Sequence, residues 1–88
     1  MRIYLGMNRK KWDEKEWVRV AGILRSLGYK VMAPTCQFSC SKPELESCDA
    51  VAMLDGWEDC YMCREEKELA NRIGIQCSGW RDYVEVVA

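Results

Sequence analysis

The chain has 88 residues, enough for one domain and one modest hydrophobic core, so residues 1–88 are expected to form a single domain. Hydrophobic residues make up 49% and charged residues 31%, a globular composition, and no apolar run approaches the ~20 residues of a bilayer span. The net charge is −1, with eight of the thirteen basic side chains in residues 1–30 and eleven of the fourteen acidic ones in 31–88; the pI near 5.4, with no basic face evident, argues against a duplex-DNA binder.

Arg2 to Leu5 is a short β-type run that ends at Gly6 and predicts a first strand. Residues 7–12 are polar and read as a loop; within it the run Arg9-Lys10-Lys11 is either a solvated loop or an attractor for phosphate. Asp13 is placed as an N-cap, with Glu14 and Glu16 in the first turn, where the helix dipole favours acids. Trp17, Val20, Ala21, Leu24 and Leu27 then recur at helical spacing, and Gly28 stops the helix. Tyr29 to Ala33 predicts a second strand, closed by Pro34.

Residues 35–42 form a cysteine-containing loop, and Pro43 to Ser47 one or two helical turns. Asp49 to Leu54 is apolar throughout its interior, as a strand covered on both faces would be. Asp55-Gly56 turns the chain, and a long helix is expected over about residues 59–72. A fourth strand is expected within Ile73 to Cys77, beginning near Gly74, and a fifth over Asp82 to Val87. Strands alternating with helices imply a small three-layer α/β/α, Rossmann-like (flavodoxin-like) domain with a mostly parallel sheet of four to five strands. Ligands of such sheets bind outside the carboxyl ends of the strands, here the loops after Gly6, Pro34 and Asp55.

One residue of the second long helix stands out. At about 100° per residue, Met62, Cys63, Leu69, Ala70 and Ile73 all fall within about 60° of Glu66, so this carboxylate lies in the middle of the apolar stripe. Glu is almost never fully buried unless paired. Either Glu66 projects into a cleft as a nucleophile or general base, or it snorkels or pairs with a core tyrosine. The chain has no histidine, so acid–base work would fall to carboxylates, Cys, Tyr or Lys.

Cys48-Asp49-Ala50, the apolar stretch to Leu54, then Asp55-Gly56-Trp57-Glu58, followed by Glu66 and Ala70, resembles the signature of the nucleoside 2-deoxyribosyltransferase-like family, in particular its small uncharacterised bacterial and phage members. Ile3-Tyr4-Leu5-Gly6 and the stretch from Trp17 to Pro34 resemble the family's first strand, first helix and second strand, so that the resemblance covers about residues 1–77. It implies a protein that binds a nucleoside or nucleotide. In the family's enzymes the Glu at the position of Glu66 attacks the anomeric carbon, the base leaves, and an acceptor base or water resolves the glycosyl ester. The resemblance makes Glu66 and Tyr4 the catalytic pair, Tyr4 orienting the carboxylate, with Gly6, Met7, Asp55, Gly56, Trp57 and Cys60 around the ligand. It implies no cofactor, and it implies self-association, since the family builds sites across subunit contacts. The departures are specific. Cys60 stands where the enzymes carry an acidic residue, Ser41 stands in place of an Asp that helps protonate the leaving base, and Met62-Cys63 replaces Gly-Ala. These substitutions leave open a non-catalytic, signal-sequestering nucleotide binder.

Six cysteines in a chain without a recognisable signal peptide are expected to be free thiols in the cytoplasm. A redox pair Cys60-x-x-Cys63 and a four-thiolate zinc site of Cys36, Cys40, Cys60 and Cys63 are the alternatives. Trp57 could stack on a base or merely cover the core.

Overall fold

The computed structural model describes residues 1–34 and 42–84. β1 (Arg2–Gly6), β2 (Lys30–Met32), β3 (Ala50–Met53) and β4 (Gln76–Gly79) form one sheet in the order β2-β1-β3-β4. Every pairing is parallel; Tyr4 lies opposite Met32 on one side and Val51 on the other. The helices are α1 (Glu14–Ser26), the short α2 (Lys42–Glu46) and α3 (Tyr61–Ile73).

The local signals act as the sequence suggests. The Asp13 side chain accepts from the N–H groups of Lys15 and Glu16 and caps α1. Gly74 ends α3 at φ 82°, a left-handed conformation that suits glycine. Because the helix runs to Ile73, the fourth strand begins at Gln76, later than the apolar pattern suggested. Trp80–Tyr83 is a 3-10 turn, so the expected fifth strand does not start at Asp82; its last residues lie outside the described ones. Trp80 and Tyr83 are three apart, the repeat of a 3-10 turn, and both side chains turn inward.

The sheet separates two apolar clusters. Ile3, Leu5, Ala50, Ala52 and Leu54 pack with Trp17, Val20, Ala21 and Leu24 of α1 and with Trp80 and Tyr83. Tyr4, Val51 and Met53 pack on the other face with Leu45 of α2 and with Cys63, Leu69 and Ala70 of α3. The alternation follows from the pleat, which sends successive side chains to opposite faces. The result is the expected three-layer α/β/α domain, with all four strands ending at the same edge. Among the described residues no helix is long and apolar enough to cross a membrane.

Candidate functional site

The strand order reverses between β1 and β3, because the chain leaves β1 for β2 on one side and places β3 on the other. In open parallel sheets this switch point is where a crevice forms at the carboxyl ends. The residues at this edge are Met7 and Asn8 after β1 and Asp55, Gly56 and Trp57 after β3; Met7 and Asn8 are buried. Asn8 Nδ2 donates to the Gly56 carbonyl (2.9 Å), and the Asn8 side chain also accepts from the Lys10 N–H (3.0 Å). One buried side chain therefore ties the two loops together.

Beneath this edge lies Glu66, with 0% exposure. Its position follows from the stripe of α3, which turns Cys63, Glu66, Leu69 and Ala70 toward the sheet. Tyr4 projects from the central strand and its hydroxyl donates to Glu66 Oε2. Arg9 supplies the counter-charge: Nη1 donates to Oε1 and Nη2 to Oε2, both at 2.8 Å. Nη2 also donates to the Tyr4 hydroxyl (3.0 Å), and Nη1 to the Met7 carbonyl (3.2 Å). The planar guanidinium matches both carboxylate oxygens at once, the strongest form such a pair takes. Burial alone would lower the Arg9 pKa, but the hydrogen bond to Glu66 and the electrostatic attraction of the Tyr4 and Glu66 oxygens outweigh it and hold the guanidinium above its ordinary value. Arg9 Nε has no hydrogen-bond partner among the described residues.

The structure thus brings Tyr4 and Glu66 together. It adds Arg9, which the sequence offered only as part of a solvated or phosphate-attracting run; Lys10 and Lys11 are exposed while Arg9 is buried. The clue lay in Glu66 itself, since a carboxylate on an apolar stripe requires a cation or several donors. Gly6 is shaped by packing: a Cβ there would lie 2.6 Å from Met53 Sδ. Met7 is buried under α1, and Gly56 turns at φ 87°. Asp55 is exposed and pairs with Arg81 at 2.6 Å, which lowers its pKa through that hydrogen bond. Trp57 is half-buried, with Lys67 Nζ 5.2 Å from its ring centroid. Trp57, Glu58, Arg64, Lys67, Glu68 and Asn71 line a shallow cleft beside α3.

Cys60 is the N-cap residue of α3 and is buried, as is Cys63 one turn later. Cys63 Sγ donates to the Met7 carbonyl (3.3 Å) and lies 3.5 Å from Arg9 Nη1. Cys48, Cys60, Cys63 and Cys77 are free thiols. No group of three or more metal-ligating side chains occurs among the described residues, and Cys36 and Cys40 of the alternative zinc set lie outside them.

Fold and site together define a small parallel α/β domain with a buried Tyr–Glu–Arg triad under its switch point. The chain belongs to the family described as a domain of unknown function (DUF4406), whose model matches residues 1–78. No curated protein and no solved structure matches the chain.

Proposed function

We propose that this protein binds a nucleoside or nucleotide in the crevice between the β1 and β3 loops and holds it without turnover. The supporting observation is the state of Glu66: it has no exposed surface and both its oxygens accept from Arg9. A nucleophile must reach the reacting carbon, and a carboxylate with no exposed surface does not. Here the carboxylate is instead a fixed anchor that holds Tyr4 and the Arg9 loop in place under the ligand. Trp57, half-buried after β3 and lining the shallow cleft beside α3, offers an aromatic face for the base.

The test is thermal unfolding with a panel of nucleosides and nucleotides, followed by chromatography of each mixture. A ligand that binds only the folded state at 100-fold over its Kd stabilises by about 2.7 kcal/mol. The expected result is a raised Tm with the ligand recovered intact. A panel that leaves Tm unchanged overturns the proposal. Self-association, which the small core also favours, is checked by sedimentation of the same samples.

A second reading rests on the hydrogen bond from Tyr4 to Glu66, the pairing expected of the N-glycoside enzymes. In that reading Arg9 withdraws when the ligand enters, Glu66 attacks the anomeric carbon, and free base appears in the chromatogram. Loss of that base in Glu66→Gln, with ligand binding retained, would establish it.

A further inference from the structure

We propose that Cys60 and Cys63 form a redox-active dithiol, which a hydroperoxide converts to an intramolecular disulfide at the start of α3. The geometry permits the bond. Arg64 N–H donates to the Cys60 carbonyl (3.1 Å), so Cys60 already lies on the helix cylinder. Two residues three apart on that cylinder have Cα atoms about 5 Å apart. Disulfides span Cα separations of about 4.4–6.8 Å. Both side chains lie in the same buried cluster, and each thiol perturbs the other directly.

The two sulfurs are unequal in the way the chemistry needs. Burial raises the Cys60 pKa, but the backbone N–H groups of Arg9, Cys63 and Met62 and the Cys63 thiol outweigh it, and Cys60 falls below the ordinary 9.0. The Met62 and Cys63 amides belong to the first turn of α3, whose positive dipole end favours a thiolate, and the Arg9 amide adds to them from the loop after β1. Cys63 is pushed up to about 12, by burial first and then by the charge of Cys60. Cys60 is thus the attacking sulfur and Cys63 the resolving one.

Access comes from the segment just before the pair. Trp57–Asp59 is a single 3-10 turn in which Glu58 and Asp59 are exposed and Trp57 alone packs on the cluster, so access to Cys60 requires this turn to lift Trp57 away. The thiolate of Cys60 then attacks the terminal peroxide oxygen: an S–O bond forms, the O–O bond breaks, and the alcohol or water leaves with one proton, giving a sulfenic acid. Cys63 attacks that sulfur; the S–S bond forms, the S–O bond breaks, and water leaves with the Cys63 proton. The two sulfurs lose two electrons in all and the peroxide gains them. Closure removes the thiol proton that Cys63 donates to the Met7 carbonyl. It thereby removes one of the contacts between α3 and the loop that carries Arg9, leaving the Arg9–Glu66 pair as the main tie between them.

The test is hydrogen peroxide titration of the folded, reduced protein, with alkylation of remaining thiols and peptide mass mapping. The expected product is a Cys60–Cys63 linked peptide, lighter by two hydrogens, formed before Cys48 or Cys77 reacts and reversed by dithiothreitol. In Cys63→Ala, Cys60 should stop at a sulfenic acid that a cyclic dione traps. The proposal is overturned if Cys60 and Cys63 remain alkylatable when other thiols are oxidised, or if Cys60 passes to sulfinic acid in the wild type without linking to Cys63. Should the variant not fold, the wild-type map alone decides.

Discussion

Under α1 the sheet presents Ile3, Leu5, Ala50, Ala52 and Leu54 to Trp17, Val20, Ala21 and Leu24. Under α2 and α3 it presents Tyr4, Val51 and Met53 to a layer that includes Cys60, Cys63 and Glu66, with Arg9 reaching in from the β1–α1 loop. Both faces exclude water. The first does so with shape, through close packing of apolar groups. The second does so with a charge pair whose attraction must offset the loss of solvation on both partners. The first face tolerates substitution of similar volume. The second tolerates only joint replacement of its partners, a cost in stability that points to a role in positioning ligand or loop.

Four measurements press on this contrast. The largest effect is expected from Arg9→Ala or Glu66→Ala, each of which strands a buried charge at a cost of about 3–5 kcal/mol. The double variant Arg9→Met/Glu66→Met should recover most of that loss in urea unfolding. If the single losses simply add, the pair is not a unit and the contrast collapses. On the α1 face, Leu24→Ala should cost about 2–5 kcal/mol through its cavity. Its effect should add to that of Glu66→Ala within about 0.5 kcal/mol, since no contact joins them.

Alkaline pH separates the faces in a graded way. Burial pushes Cys63 up to about 12 and Cys77 up to about 11, from an ordinary 9.0. Burial pushes Tyr83, on the α1 face, up to about 12 from 10.0. In each case the unfolded chain loses its proton first, so stability is full below the ordinary value and falls as pH rises toward the folded one. The urea midpoint should begin to fall near pH 9, from the thiols, and steepen above 10, from Tyr83. Cys77→Ala should shrink the first part and leave the second. The smallest effect belongs to the surface: Asp13→Ala should cost about 1 kcal/mol by uncapping α1 and leave the triad untouched, as read by ligand-induced shifts in Tm.

Much of this was legible in the residues because it repeats. The stripe of α1 carries a period of 3.6 that specifies its buried face, the Asp13 cap marks where that helix starts, and the unbroken apolar run of β3 marks a strand buried on both faces. Glu66 was legible as a breach of its own pattern. Arg9 was not, because it sits in residues 7–12, where no period relates position to direction, and its long side chain crosses to a helix 57 positions away. The expected helix end, near residue 72, agrees with Ile73, but the fourth strand starts at Gln76 because Gly74, read as a strand start, serves as the helix cap. The terminal strand was misplaced because Trp80 and Tyr83 obey a spacing of three within four residues, too short a stretch to distinguish from alternation.

The separation between Arg9 and Glu66 also orders events on the ribosome. When β1, α1 and β2 have emerged they already form a complete right-handed βαβ unit. At that moment β1 has one edge unpaired, and Tyr4 and Arg9 have no carboxylate to meet. Synthesis proceeds at about 5–20 residues per second, and domains tend to fold as units when their last contact appears. A chain that ended before α3 would hold an open sheet edge beyond β3 and a guanidinium without its carboxylate, so the last helix completes both the sheet's cover and the charge pair.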